Sequence, residues 1–410
     1  MSDRIEDAFR VDAGRILGAV AAYTGDLQLA EDAVQEGFLR ALAQERSGVV
    51  LSNPSAWITT AARRAAVDAI RRERTAARAL PALAADTATV TADAADFAFT
   101  GDERLELILT VCHPDLAEET RLALALRFAC GIATRDVAAM LLVSEPTMAA
   151  RLTRAKKRLH DSGIRFAISD AAQVRSRLPD ALSVISLLYT TGYAAPTSED
   201  GRRLCADAVE LARDARRIAG DDSEAVGLLA LLLLTEARHP SRVDPAGELV
   251  ALAEADRGRW DRALIGEGET LATDALNTGT GRFALQAGIA GLHAIAAEWD
   301  ATDWPAIALL YDGLVTQWPS PSARLARIVA RGYADGVGAT GARLELDADE
   351  QLFQGSLAAQ AFAVRAELGL RAGDRAGAER DLLEAIALAE DPAVRRHLER
   401  RLAEADGRDG

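Results

Sequence analysis

Two short helical patterns separated by a tight turn occupy residues 133–159, whose sequence is ATRDVAAMLLVSEPTMAARLTRAKKRL. Thr134 can cap the first helix, and Val137 belongs to its apolar face. Ser144 can cap the second helix, and Pro146 falls in its first turn, where a missing N–H group costs little. These caps, the turn and the proline limit the possible folds of this segment more than any other sequence feature limits the rest of the chain. They predict a helix-turn-helix.

The second of these helices carries a run of cations. No acidic residue lies between Pro146 and His160, and the only two lysines of the protein are found here. The residues expected to contact DNA are Ser144, Thr147, Met148, Arg151, Arg154, Lys156, Lys157 and Arg158. Those near the helix N-terminus can reach base edges in a major groove, while arginines and lysines hold phosphates. The alternative is a solvated basic face on a packed helix.

Charge is spread unevenly along the 410 residues. Residues 1–165 contain 21 Lys and Arg against 23 Asp and Glu, so residues 166–410 account for −13 of the net charge of −15. An acidic half would be repelled by phosphate, and we therefore expect nucleic-acid binding in the first half only. Few aromatic residues and abundant Ala, Leu and Arg favour helices over strands.

Three helices are predicted near the start of the chain, at 4–23, 27–44 and 55–74. The second buries one apolar side and carries an acidic cluster on the rest. The third projects cations outward, among them Arg63, Arg64, Arg71 and Arg72. These arginines can face nucleic acid, or they can form a surface ladder with Asp68 at spacings of about four residues.

The remainder of the chain is also predicted to be helical, so the fold class is all-α. Residues 77–103 are rich in Ala, Thr and Asp without an apolar stripe and are interpreted as a flexible linker, and residues 104–165 as a small helical unit. Helices are predicted at 171–191, 201–218, 223–237, 245–254, 257–276, 282–297, 304–316, 321–334, 356–371, 375–389 and 392–404. Gly-Asp turns and small residues at crossing points indicate a tetratricopeptide-like array over 170–410.

The sequence does not favour an enzyme, a metal or a cofactor. Three widely spaced cysteines argue against a disulfide framework and for a reducing cytoplasm. Cys112 and His113 have no second Cys/His pair at a usable spacing. The string GVGATG at 336–341 follows a helical pattern instead of a strand, so it is interpreted as a loop between helices. No apolar run is long enough to span a bilayer.

The order of these parts resembles the extracytoplasmic-function group of the sigma-70 family. LAEDAVQEGFLRAL at 29–42 is similar to the helix of region two that binds the β′ clamp helices of RNA polymerase, and NPSAWITTAARRAAVDAIRRER at 53–74 to the helix facing the −10 element. The helix-turn-helix resembles region four, which reads the −35 element and meets the β flap. The resemblance implies a bacterial sigma factor that binds core RNA polymerase and promoter DNA.

That resemblance assigns further roles to residues of the first half. The residues implied to bind core polymerase are Glu31, Asp32, Gln35, Glu36, Phe38 and Leu39. Besides the four arginines, Ser52 and Asn53 of the loop at 46–53 are implied to contact the −10 element, where they can hydrogen-bond an unpaired base. Turn formation and N-capping are equally good interpretations of Ser52, Asn53 and Ser55.

The chain also resembles the subgroup of these factors that carries a long tetratricopeptide-like extension. CHPDLAEETRLALALR at 112–127 and ATDWPAIALLYDGL at 301–314 carry this resemblance, although the chain has Thr190-Thr191 where Asn-Glu is implied. The resemblance implies that the extension is regulatory. Its acidic charge and repeat pattern leave three hypotheses open: it masks the basic helix, it contacts polymerase, or it binds a protein or peptide. The rival hypotheses are a helix-turn-helix regulator that works without polymerase and a helical scaffold.

Overall fold

A computed structural model describes residues 3–79, 101–162, 168, 170–334, 338–405 and 407. Over these residues the protein is helical and contains no β-strand, apart from one isolated bridge between Val243 and Leu249. The predicted all-α class is confirmed. None of the described helices combines the length and the apolar content that a bilayer span requires.

The chain forms two compact units. The first comprises Met1–Thr190 with Glu210–Gly220, and the second comprises Thr191–Val209 with Asp221–Gly410. Helices α1 to α8 are Asp3–Thr24, Leu27–Arg46, Pro54–Ala79, Glu103–Val111, Glu118–Leu124, Thr134–Met140, Glu145–Asp161 and Ala171–Tyr193. Helix α3 is longer than predicted and includes the first residues of the expected linker, whose segment at 80–100 lies outside the described residues.

Helices α1, α2 and α3 pack on one another as the first layer of unit one. Asp26 starts α2 because its carboxylate accepts the backbone N–H of Leu29 at 2.9 Å, which satisfies one of the free donors of the first turn. Leu27, Val34 and Phe38 lie on the buried side of α2, as the apolar period requires.

Two glycines of α1 allow its backbone to touch the layer formed by α4 and the turn after α5. A Cβ atom at Gly14 would lie 2.1 Å from the carbonyl oxygen of Ala129, and one at Gly18 would lie 2.5 Å from that of Glu103. Both distances are shorter than any carbon–oxygen contact can be. The two glycines are therefore what permits the N-terminal bundle and the following helices to form one body.

The second layer of unit one carries the helix-turn-helix. Helix α5 continues into a single π-type turn at Ala125–Ala129, and Gly131 follows with a positive φ of 70°. The predicted cap at Thr134 is wrong: Ala133 occupies the N-cap position without a side-chain hydrogen bond, and Thr134 is already helical.

Part of the predicted C-terminal extension belongs to unit one. Arg177 of α8 is buried and donates to the carbonyl oxygen of Leu109 at 3.2 Å, and Asp180 pairs with Arg121 at 2.5 Å. Glu210 pairs with Arg15 at 2.7 Å. Helix α8 and residues 210–220 are thus built into the same core as α1 and α4.

The second unit begins with the N-terminal part of a helix whose last residues, from Glu210, belong to unit one, and it continues as a succession of helix pairs. Helices α9 to α18 are Glu199–Ala219, Ser223–Glu236, Arg262–Thr278, Arg282–Ile295, Trp304–Gln317, Pro321–Tyr333, Gly338–Ala348, Ala358–Arg371, Arg375–Leu388 and Pro392–Ala405. Helix α10 is apolar all round because α11 and α12 both cover it. Its Glu224 carboxylate accepts the backbone N–H groups of Phe283 and Ala284 and so caps α12, whose own N-cap residue, Gly281, has no side chain.

Two predictions for this unit are wrong. Residues 245–254 form turns and an isolated bridge instead of a helix, because Asp244 accepts the N–H groups of Ala246 and Glu248 and Gly247 has a φ of 84°. The segment predicted as a loop at 336–341 enters helix α15 at Gly338, while residues 335–337 lie outside the described part.

The glycines of α1 yield a stability test. Gly→Ala within a helix normally stabilises by about 1 kcal/mol. At Gly14 or Gly18 we expect the opposite, a lower melting temperature, because the added methyl group overlaps backbone oxygens. Gly266→Ala in α11, where a Cβ meets nothing within 4 Å, is the matched control and should be neutral or stabilising in the same thermal unfolding measurement. Stabilisation by Gly14→Ala would contradict the close approach.

Candidate nucleic-acid interface

The turn between α6 and α7 has the geometry of a helix-turn-helix. Leu142 adopts a left-handed conformation with a φ of 54° and is 85% exposed, and Ser144 then starts α7. The Ser144 hydroxyl accepts the backbone N–H of Thr147 at 3.4 Å and lies 2.8 Å from the Thr147 hydroxyl. Pro146 is in the first turn, as predicted.

One face of α7 holds the motif together. Met148, Leu152, Ala155 and Leu159 are buried at helical spacing. Met148 was expected to contact DNA, but its side chain is fully buried and belongs to the apolar core between the helices. A fully buried side chain cannot reach a base edge. Met148 therefore packs α7 against the neighbouring helices.

The opposite face of α7 is cationic. Arg154, Lys157 and Arg158 are exposed and make no ion pair with any residue in the described part of the chain. Arg151 is half-buried and pairs with Glu119 at 2.9 Å. These three cations are free to take phosphates, and the alternative of a solvated basic face on a packed helix stays open.

Lys156 differs from its neighbours because it turns toward α2. Its ammonium group lies 2.6 Å from a Glu31 carboxylate oxygen and 5.5 Å from the centroid of the Phe128 ring. His160 extends the same contact, with Nδ1 2.5 Å from the carboxylate of Asp26. A residue expected to bind DNA is therefore neutralised by a residue expected to bind polymerase.

The rest of the outer face of α2 is solvent-exposed, although Glu36 pairs with Arg40 at 2.8 Å and Asp32 accepts a hydrogen bond from Gln28. Asp32, Gln35 and Leu39 are exposed and Glu36 is partly so, and these residues follow a spacing that places them on one stripe of the helix. Phe38, which was also expected to contact polymerase, is buried with its ring edge-on to Phe9 at 5.1 Å.

Leu39 supplies exposed apolar area on this face, 62% exposed, and Phe9 of α1 adds more, at 61%. Sequence reasoning missed Phe9 because it belongs to another helix whose apolar stripe was interpreted as core. Asp32, Gln35, Glu36 and Leu39 together form a patch on α2, the α2 outer face.

The loop before α3 and the arginines of α3 are surface features. Ser52 and Asn53 are exposed, and the Asn53 side chain accepts the N–H of Ala56 at 3.1 Å. Asn53 thus acts as the N-cap of α3, which was the alternative interpretation. Ser55 donates to Asp12 at 2.6 Å and ties the loop to α1.

The arginine ladder predicted along α3 is weak. Asp68 lies 4.0 Å from Arg71, and Arg72 donates only to the backbone oxygen of Asp68. Arg64 makes no ion pair within the described residues, and Arg63 lies over the Tyr23 ring at 5.8 Å. Since such exposed pairs contribute little, these arginines stay available to a phosphate backbone.

Other chemistry-bearing residues of this unit are structural. Cys112 ends α4 and is fully buried, and burial raises the pKa of its thiol. Within the described residues no group of His, Cys, Asp and Glu has the arrangement of a metal site.

Comparison with known proteins agrees with this geometry. Residues 9–76 match Sigma-70 region 2, and residues 106–159 match Sigma-70, region 4. Residues 177–276 match a family of unknown function, DUF6596. An uncharacterized protein of Rhizobium meliloti (strain 1021) is 36% identical over 337 residues, which cover 80% of this chain and 79% of that protein.

The chain has a helix bundle followed by a helix-turn-helix whose second helix is cationic, and it matches both sigma-70 regions. Together these features define a DNA-binding factor of transcription initiation. The chain belongs to the sigma-70 family and is a sigma factor of the extracytoplasmic-function type. The tetratricopeptide-like character of its extension stays a prediction, because the extension matches only the family of unknown function.

The exposed cations of α7 give a direct test of DNA recognition. Arg154→Ala should lower affinity for a −35 duplex, by roughly 1–3 kcal/mol if Arg154 contacts a base. Fluorescence anisotropy with matched and mismatched duplexes measures it, since a phosphate contact would weaken both evenly. Arg375→Ala, which removes an exposed arginine at the start of α17, is the charge-matched control. Unchanged affinity for Arg154→Ala would exclude this face of α7 from the interface.

Proposed function

We propose that this sigma factor binds core RNA polymerase through the α2 outer face and reads promoters with α7 at the −35 element and α3 at the −10 element. The observation that carries the proposal is the α2 outer face itself. It combines carboxylates with the exposed Leu39 beside Phe9, which suits a partner surface that is basic and partly apolar.

Reading two promoter elements requires unit one to open. The −35 and −10 elements are about 25 base pairs apart, which is about 85 Å of B-form DNA. In unit one, α7 contacts α2 directly through Lys156 and Glu31. Because α3 packs on α2, this contact also holds α7 near α3, so α3 and α7 cannot reach both elements until the contact breaks.

The order of events follows from what the contact leaves exposed. The α2 outer face is free while Lys156 and Glu31 are paired, so polymerase can bind first. A basic partner that then competes for Glu31 would release Lys156 for phosphate. The Lys156–Glu31 pair is largely buried, with side chains 18% and 21% exposed, so the exchange is accessible only because the basic partner replaces the contact that Glu31 loses.

Leu39→Glu tests binding to polymerase. The substitution puts a charge into the apolar part of the α2 outer face, and we expect loss of co-elution with core RNA polymerase on size exclusion. Leu309→Glu, at a leucine of α13 that is 72% exposed, is the matched control and should co-elute like the unchanged chain. If the unchanged chain binds promoter DNA but never co-elutes with polymerase, the protein is a polymerase-independent regulator instead.

We further propose that the extension lowers promoter affinity through its charge. Residues 166–220 carry equal numbers of acidic and basic residues, so the −13 of the second half lies wholly in residues 221–410. This negative charge repels DNA phosphates, so removing residues 221–410 should raise the affinity for DNA. The chain should not be shortened before α8. A chain ending at 168 would lose Arg177 and Asp180, which contact Leu109 and Arg121.

A chain ending at Gly220 keeps all of unit one and removes the acidic remainder. We expect it to bind a promoter duplex more tightly than the full chain at low salt, with the two converging as salt screens the charge. Anisotropy titrations at several salt concentrations measure this difference. Equal affinities at low salt would contradict an inhibitory role. A chain ending at 168 should in addition be less stable to heat than the chain ending at 220.

A further inference from the structure

The second unit contains a cavity of about 480 Å³ lined by α10, α12, α13 and α14. Its wall is mainly apolar, with Leu231, Ile289, Leu314 and the Trp318 ring as the larger groups. Sites that bind small organic ligands have volumes of about 300–1,000 Å³, mostly apolar walls and a few polar groups that converge. The cavity meets the first two conditions.

Arg238 supplies a charge without a partner. The guanidinium lines the cavity, its Nε atom is buried without a hydrogen bond, and it forms no ion pair with any residue in the described ranges. No Asp or Glu is among the described residues that line the cavity, although residues 166–410 have a net charge of −13. Arg238 is only partly buried, but no acidic side chain among the described lining residues offsets its charge, so an anion in the cavity would gain a charge-assisted contact.

His293 adds a neutral polar group to the same wall. Burial, together with Arg238 and Arg257, lowers the pKa of His293 to about 4, so the ring is uncharged near pH 7. Its Nδ1 atom is buried without a hydrogen-bond partner. The ring is held in place by Trp299, stacked at 6.2 Å, and by Trp304, edge-on at 5.3 Å.

We infer that this cavity binds a small organic carboxylate, with the carboxylate on Arg238, a hydrogen bond from or to His293, and an aromatic or short alkyl body against Trp318 and Leu231. A guanidinium matches a planar carboxylate with two parallel hydrogen bonds. The inference does not depend on promoter or polymerase binding, since every residue that carries it lies in unit two.

The test uses the full chain with 4-phenylbutyrate and indole-3-propionate, each at millimolar concentration, and with the matching carboxamides. We expect the acids to raise the melting temperature and to release or absorb heat in a calorimetric titration, and the neutral amides to do neither. A short peptide with a free C-terminal carboxylate, tested alongside, separates a free acid from a protein terminus as the source. Stabilisation by either carboxylate supports the site, and stabilisation by none overturns it.

Arg238→Gln should weaken acid binding about tenfold or more, because it removes a charge-assisted hydrogen bond. Arg259→Gln, at an exposed arginine of the same unit, should bind as the unchanged chain does. Because Arg238 makes no ion pair with the described residues, its substitution should leave the ligand-free melting temperature nearly unchanged. Ala326→Phe, which fills the cavity instead, is the second variant and should also lose binding. Retained binding in both variants, or equal binding of amide and acid, would overturn the proposal.

Discussion

The close backbone contact of α1 with the layer that carries the helix-turn-helix is the constraint on which unit one depends. It exists because Gly14 and Gly18 present no Cβ atoms to the carbonyl oxygens of Ala129 and Glu103. Glycine is a poor helix former, so this contact is retained at some expense in helix propensity. With it in place, α7 lies against α2, and the ion pair of Lys156 with Glu31 follows from that position.

Local features of the sequence were enough to predict the helix-turn-helix and the all-α fold. The signals are local: each determines the conformation of only a few neighbouring residues. They are the cap at Ser144, the proline at 146 and the positive φ at Gly131. The boundaries that were wrong also have local causes. Asp244 and Gly247 favour turns strongly enough to prevent a helix at 245–254. The apolar periodicity of this short segment gave no sign of those turns.

The candidate site was only partly predictable, because its key contacts join distant residues. Glu31 and Lys156 are 125 positions apart, and nothing in the pattern of either helix pairs them. The burial of Met148 and Phe38 depends in the same way on which neighbouring helix covers each side chain. The sequence indicates which residues are charged or apolar, and only the packing decides which of them face solvent.

The distribution of lysines has a practical consequence. Because Lys156 and Lys157 are the only two in the protein, amine-reactive reagents can modify side chains of this chain only on α7. Lys157 is exposed, whereas Lys156 is held by Glu31 and the Phe128 ring. The ratio of acylation at these two neighbours is therefore an intrinsic chemical reporter of whether α7 has separated from α2, readable by mass spectrometry in the unaltered protein.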